Sequence, residues 1–253
     1  MPARLQTVTA ATITMLATGL GGLPFVFVRR FPDEAARLGW AVAGGMMLSA
    51  SVFTLIIPGV NEGGITPVAI GVLVGTAIFG LASKLISGHE HDERGIPVPG
   101  ASVRGSARIA LILGRMFVHS FPEGLAVGVA YGSGEASLGV LVAVAIAVHN
   151  IPEGVAVSLP LRAEGVSGWK CVGWAIFSSL PQPIAAIPAY LAVQAFRPVL
   201  SFAFGLAAGA MFFLVLSEMI PESRANEGQR LSSALATMVG FLALMVLQNV
   251  LVV

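Results

Sequence analysis

The chain of 253 residues is too apolar for a water-soluble domain. Hydrophobic residues make up 56% of it and charged residues 11%, whereas soluble domains carry about 25% charged residues. The formal net charge of +1 provides no basic surface for nucleic acid. The only cysteine, Cys171, cannot form an internal disulfide. Composition therefore predicts a protein of the lipid bilayer, without a nucleic-acid partner.

Eight apolar runs follow one another along the chain, each of about 20 residues or more, which is enough to cross the hydrocarbon core of a bilayer. We place these spans at residues 7–28, 35–58, 65–86, 106–131, 136–161, 168–194, 198–220 and 231–252. Short turns separate most of them, and the one long connection is a loop at residues 87–105. The prediction is an all-α polytopic membrane protein with eight transmembrane helices in a single domain, residues 1–253.

Basic residues orient the predicted helices. Only Arg4 and Arg197 lie on one side of the membrane. The loops of the other side carry Arg29, Arg30, Arg37, Arg94, Arg104, Arg108, Arg162, Lys170, Arg224 and Arg230. Because Lys and Arg concentrate in cytoplasmic loops, the second side is predicted to be cytoplasmic. Both termini are then extracytoplasmic, and the protein is a multi-pass protein of the cell membrane.

The long cytoplasmic loop carries His89 and His91 next to acidic residues. Imidazole and carboxylate groups are metal ligands, so one interpretation is a weak site that collects metal ions. The other interpretation is a solvated run of charges.

Spans four and five contain the same phrase twice, His-x-x-Pro-Glu-Gly, beginning at His119 and His149. On a helix the i, i+4 spacing places His119 and Glu123 on one face, and likewise His149 and Glu153. Ionisable groups inside a membrane cost roughly 2.5–3.5 kcal/mol each on insertion scales, so four in matched positions predict a functional site. His nitrogen and carboxylate oxygen together suit divalent transition metals, zinc foremost.

Prolines accompany these side chains and predict local distortion. Pro122 and Pro152 precede the two glutamates and should kink spans four and five, because proline donates no backbone hydrogen bond. In span six, prolines on both sides of Gln182 should unwind the helix. Gln182 could then offer its amide oxygen to a metal, or hydrogen-bond a freed carbonyl of its own helix.

Two charged residues flank the predicted site on its cytoplasmic side. Glu218, near the end of span seven, is either a relay ligand for a metal or an interfacial partner of Arg224. Arg115 lies one turn before His119 on the same face and would repel a nearby cation. It either extends to the cytoplasmic surface or pairs with an acid such as Glu218 or Glu222.

These motifs resemble the ZIP family of divalent-metal transporters, in particular its bacterial GufA-like branch. The doubled phrase is similar to that of spans four and five in the family. The small-residue stretch at residues 43–51 and the stretch at residues 217–223 also resemble family segments. The resemblance implies a 3+2+3 arrangement of spans, with an inverted repeat around spans four and five, and a homodimer. Small residues such as Gly205 and Gly209 offer a face for that dimer.

The resemblance also implies uptake of a divalent metal into the cytoplasm, without a prosthetic group. Zinc is the first expectation, with cadmium, iron, manganese, cobalt and nickel as other substrates. The first metal site would consist of His119, Glu123, His149 and Glu153. A second site would add Ser120, Asn150 and Gln182, whereas two-metal relatives carry Asn, an acid and Glu there. Because these changes remove negative charge or reach from the second site, we predict one tightly held metal, with at most a weakly bound second ion. Ser51 approaches the substrate in the family, although Ser51 and Ser120 are equally suited to helix packing.

Two other functions use the same side chains. An intramembrane metallohydrolase would need an acid or base besides the ligands, and the chain has no His-Glu-x-x-His motif. A proton or ion channel could use His and Glu as relay groups. The predicted function is a transporter, not an enzyme.

Overall fold

The computed structural model describes residues 2–28, 32–87, 103–224 and 227–252. Within these ranges all regular structure is helical, and there is no β-strand. The α-helices are α1 (Ala3–Gly22), α2 (Pro24–Phe27), α3 (Asp33–Ala50), α4 (Ile57–Gly63), α5 (Ile65–Ser87), α6 (Val103–Gly132), α7 (Ala136–Ala163), α8 (Gly168–Ser178), α9 (Pro181–Ala195), α10 (Leu200–Leu214), α11 (Ile220–Glu222) and α12 (Arg230–Val252). Short 3-10 helices lie at Arg197–Val199 and Glu227–Gln229.

Seven helical segments in the described part of the chain are long and apolar enough to cross a membrane. They are Ala3–Phe27, Glu34–Gly63, Ile65–Leu85, Ala136–Ala163, Gly168–Ala195, Arg197–Glu222 and Arg230–Leu251. Helix α6, the predicted fourth span, is not among them, although it is 30 residues long. It carries Arg115, His119 and Glu123, which lower its hydropathy. The prediction of an all-α polytopic membrane protein is confirmed at this level.

Two of the segments contain a π-helical turn that is separated from the following proline by one residue. Ser51–Ile56 joins α3 to α4 ahead of Pro58, and Val215–Met219 joins α10 to α11 ahead of Pro221. A proline ring clashes with the preceding helical turn, and widening that turn to a π-helix accommodates the ring. Each of these segments therefore continues across its proline with a local bulge.

The prolines of the predicted site have a different effect. Helices α6 and α7 run through Pro122 and Pro152 as uninterrupted α-helices. In contrast, α8 ends at Ser178 and α9 begins at Pro181, so the interruption predicted near Gln182 is present. Gln182 itself lies in the first turn of α9, where its position is fixed by a regular helix.

The helices pack in two groups. The first helix group contains α1, α6, α7, α8 and α9, in which α1 packs along α7 and α6 along α9. The second helix group contains α3, α5, α10 and α12, in which α3 packs along α12 and α5 along α10. The main contacts between the groups join α3 to α7 and α10 to α6. The doubled phrase therefore lies on the two helices that form this boundary.

The small-residue face proposed for a dimer is used inside the chain. A Cβ atom at Gly205 would lie 2.2 Å from the carbonyl oxygen of Val68, and one at Gly209 would lie 2.1 Å from that of Val72. Both glycines thus allow α10 to approach α5 closely. The prediction that Gly205 and Gly209 form a homodimer face is wrong, because the small-x-x-x-small pattern does not specify which helix docks on it.

Candidate metal site

The two copies of the phrase meet where α6 faces α7. His119, Glu123, His149 and Glu153 are all almost completely buried, with at most 1% of each residue exposed. One ligand atom each of His119, Glu123 and Glu153 lies within 4.8 Å of the others. A spacing of this size is what a single bound metal ion requires of its ligands after small side-chain movements. The i, i+4 pattern therefore brings four potential ligands into one buried cluster.

His149 is oriented by the backbone of its own helix. Its Nδ1 lies 3.1 Å from the carbonyl oxygen of Ala145. A carbonyl only accepts, so this bond places a proton on Nδ1 and makes Nε2 the nitrogen that faces the site. Nε2 points to Glu123, 3.0 Å from Oε1. A histidine whose other nitrogen donates to a carbonyl is the usual arrangement for a metal-binding imidazole.

Glu123 is held on both of its oxygens. Besides the contact of Oε1 with His149, Oε2 accepts a hydrogen bond of 2.5 Å from Nε2 of Gln182. The amide oxygen of Gln182 is in turn 3.4 Å from Nδ2 of Asn150, which also donates to the carbonyl of Thr14 at 2.8 Å. Among the described residues, the Gln182 side chain hydrogen-bonds other helices rather than a carbonyl of its own helix, and its role as a metal ligand stays a prediction. Its amide group positions Glu123.

Glu153 has a contrasting environment. Neither carboxylate oxygen has a hydrogen-bond partner among the described residues, and Nε2 of His119 lies 3.9 Å from Oε1, too far for a hydrogen bond. Nδ1 of His119, Oγ of Ser120 and Oδ1 of Asn150 are also buried and unpaired. Buried polar groups without partners are costly and rare in folded proteins. Such atoms on four of the candidate ligand residues indicate a site built for a cation.

Met47 is a neighbour that the sequence did not reveal. Its Sδ atom lies 3.3 Å from Nε2 of His119, and the residue is completely buried in α3. A thioether is a soft ligand that suits transition metals rather than magnesium or calcium. Met47 lies four residues before Ser51, on the face that the small-residue stretch presents, and this spacing was the available signal.

The remaining predicted residues lie in different environments. The Ser51 hydroxyl donates to the backbone carbonyl of Met47 at 2.8 Å, within its own helix. Glu218 accepts a hydrogen bond of 3.0 Å from Ser83 of α5. His89 and His91 lie outside the described residues.

Arg115 pairs with an acid, as one of the two interpretations predicted. Its Nη1 lies 3.9 Å from Oε1 of Glu222 at the end of α11. The positive charge next to the site is therefore compensated from the second helix group.

Residues 101–248, more than half of the chain, match the family model of the ZIP zinc transporters. The chain belongs to the ZIP family. The resemblance drawn from the doubled phrase is thus confirmed. Members of this family are metal transporters rather than enzymes, as predicted for this chain.

Three relatives show how far the similarity extends. The zinc transporter ZIPB of Bordetella bronchiseptica is 34% identical over 250 residues, covering 93% of this chain and 78% of that protein. The zinc transporter GufA of Myxococcus xanthus is 32% identical over 247 residues, covering 94% and 96%. A putative zinc transporter of Arabidopsis thaliana is 40% identical over 221 residues, but this chain spans only 35% of its length. The bacterial relatives therefore match this ZIP protein over most of its length.

Proposed function

We propose that the protein transports divalent transition-metal ions, zinc foremost, across the cell membrane into the cytoplasm. The observation that carries this proposal is the buried cluster of His119, Glu123, His149 and Glu153, in which the Glu153 carboxylate has no hydrogen-bond partner among the described residues. Such a cluster inside a polytopic membrane protein is a binding site on an ion pathway. The names of the relatives agree, since each is called a zinc transporter or a putative one.

The proposed ligands are the two histidines, the two glutamates and Met47. Two imidazole nitrogens and two carboxylate oxygens satisfy the tetrahedral preference of zinc. The thioether of Met47 adds a fifth, weaker ligand from the second helix group. A metal bound in this way connects both helix groups, so its binding and release are coupled to their relative position.

We expect one metal ion at this site, because the second set of ligands brings no further negative charge and its Gln182 side chain is engaged in hydrogen bonds. The Gln182 amide donates to Glu123, and the Asn150 amide donates to the Thr14 carbonyl and lies 3.4 Å from the Gln182 oxygen. Two amide groups thus stand beside Glu123, and neither supplies negative charge for a second divalent ion.

Replacing these amides with acids should create the second site. The double variant Gln182→Glu with Asn150→Asp adds two carboxylates beside Glu123. We expect bound zinc to rise from one to two ions per chain, measured by elemental analysis of purified, metal-equilibrated protein. The matched control is Gln194→Glu, a change of the same kind at the outer end of α9, where Gln194 donates to the Gly132 carbonyl. Two ions in the parent protein would contradict the proposal.

We also propose that the chain has eight spans. Helix α6, the fourth span in chain order, joins the seven segments above, and the spans are arranged 3+2+3 as an inverted repeat. Helix irregularities support this arrangement, because they recur in matching spans of the two halves. Spans one and six are interrupted before a proline, spans two and seven contain a π-helical turn, and spans four and five continue through their proline. The matching prolines are Pro24 and Pro181, Pro58 and Pro221, and Pro122 and Pro152.

Helix packing gives independent support to the inverted repeat. The inverted repeat relates spans one, two and three to spans six, seven and eight, and span four to span five. Under this relation, the packed pair α1–α7 corresponds to the packed pair α9–α6. The pair α3–α12 likewise corresponds to the pair α10–α5. The contact of α3 with α7 corresponds to that of α10 with α6. Each half of the repeat thus contributes to both helix groups, and transport follows from movement of the first group along the second.

Uptake into sealed vesicles tests the proposed function. Purified protein should move zinc inward with saturation at micromolar metal, and His149→Ala should abolish this uptake because it removes a ligand from the cluster. A panel of zinc, cadmium, iron, manganese, cobalt and nickel gives the substrate range. Flux that does not saturate would instead favour a channel. Cleavage of a peptide or ester without metal movement would favour a hydrolase.

Homodimerisation is a separate proposal and now needs another face than α10. The outer side of α12 is exposed and apolar, for example at Leu231, Leu235 and Val239. In a membrane protein such a face contacts lipid or a second copy. Cross-linking in native membranes distinguishes the two, since a dimer gives a discrete band of twice the mass.

A further inference from the structure

One ion pair crosses the boundary between the two helix groups beside the metal site. Arg115 of α6 belongs to the first group, and Glu222 of α11 follows α10 in the second. Arg115 lies one turn before His119 and on the same face of α6. The pair therefore stands directly below the site, on the side that the distribution of basic residues assigns to the cytoplasm.

A layer of apolar side chains separates the metal site from this end of α6 and α7. Leu113 and Met116 of α6 and Val157 and Leu161 of α7 are buried in one hydrophobic cluster. Val157 lies one turn beyond Glu153 along α7. A metal moving from the site toward the cytoplasm has to separate this layer, which Arg115 adjoins between Leu113 and Met116 in α6. That passage leads past Arg115.

The charges at the passage are arranged around Arg115. Glu222 pairs with it directly, and Glu218 interacts electrostatically with both Arg115 and Glu222. Glu218 is held in place by Ser83 of α5. A divalent cation moving toward the cytoplasm is repelled by the arginine and attracted by the two acids. It therefore competes with Arg115 for the same carboxylates.

We propose that the Arg115–Glu222 pair is a latch that closes the cytoplasmic exit of the site, and that metal release requires Arg115 to leave Glu222. This inference rests on the proposed transport through the site. The pair is substantially exposed, with 39% and 58% of the two side chains accessible, and exposed pairs are weak. A weak latch suits a transporter, because it favours the closed state without preventing opening.

Labelling of a cysteine in the apolar layer beside the latch tests this inference without metal. Val157→Cys is introduced into a Cys171→Ser background, and inside-out membrane vesicles are treated with a membrane-impermeant maleimide. Arg115→Gln and Glu222→Gln should each raise the labelling rate about two- to fivefold, the range expected from loss of an exposed ion pair. The exchange of both charges, Arg115→Glu with Glu222→Arg, should restore the parent rate.

Arg37→Gln is the matched control, because Arg37 bonds Gln229 and does not cross the boundary between the helix groups. Its labelling rate should equal that of the parent. Equal rates in both single variants, or a charge exchange that does not restore the rate, would overturn the latch. Glu222→Gln decides the matter if Arg115→Gln does not fold, since Glu222 is the more exposed partner. Failure of zinc uptake by the parent would refute the proposed function. The labelling rates would still test the latch, because they are measured without metal.

Discussion

Replacing Glu153 with glutamine should abolish high-affinity metal binding without lowering the stability of the protein. Glu153 is buried and neither of its oxygens accepts a hydrogen bond among the described residues, so its charge is unfavourable in the metal-free protein. Glutamine has the same size and no charge. Loss of the carboxylate should weaken zinc binding by more than about 100-fold, because changes to groups that only support a ligand already cost 10–100-fold. The melting temperature of the metal-free variant should be equal to or above that of the parent.

Glu123→Gln is the informative comparison for this prediction. Glu123 contacts His149 with one oxygen and accepts from Gln182 with the other, so its replacement also disturbs two internal contacts. We expect it to lose both zinc affinity and thermal stability. Zinc titration by calorimetry and thermal unfolding of the metal-free proteins separate the two cases. Parent-like zinc affinity in Glu153→Gln would show that Glu153 is not a ligand.

The cluster of His and Glu side chains could be predicted from the sequence because its geometry is local. Four residues of helix fix the relative direction of His119 and Glu123, and the second copy repeats the arrangement. Only one assumption was needed, that the two helices turn their His and Glu side chains toward each other. In the structure, α6 and α7 are oriented in this way, and the four side chains lie together.

Contacts between distant helices could not be predicted in the same way. Met47 reaches His119 because α3 packs at the boundary of the two helix groups, and its spacing from Ser51 does not specify that partner. Whether the amide of Gln182 donates or accepts depends on Glu123 and Asn150, which come from two other helices. Gly205 and Gly209 show the same limit, because their spacing predicts a close approach but not the partner helix.

The glycines that end the doubled phrase acquire a role only in the folded protein. A Cβ atom at Gly154 would lie 1.8 Å from the carbonyl oxygen of Thr18 in α1. One at Gly124 would lie 2.3 Å from the carbonyl oxygen of Gln182 in α9. Each copy of the phrase therefore provides two candidate metal ligands and a glycine where another helix passes. The absence of a side chain at Gly124 allows Gln182 to come close enough to bond Glu123.

Gly154→Ala should consequently destabilise the protein and impair transport, although alanine is the better helix former. The obstacle is backbone rather than a flexible side chain, so α1 must move away from α7 by more than an ångström. Overpacking of this kind costs about 1–3 kcal/mol, which corresponds to a fall of several degrees in melting temperature for a chain of this size. The displaced α1 also withdraws the Thr14 carbonyl from Asn150, so zinc uptake should fall with stability.

Gly114→Ala and Gly173→Ala are the matched controls, since a Cβ atom at either position meets nothing within 4 Å. Both lie inside helices, α6 and α8, where alanine is favoured over glycine by about 1 kcal/mol. Their melting temperatures should therefore equal or exceed that of the parent, with uptake unchanged. Thermal unfolding in detergent and vesicle uptake measure both quantities. A Gly154→Ala protein as stable and active as these controls would contradict the prediction. It would show that α1 does not approach α7 as closely as the structure indicates.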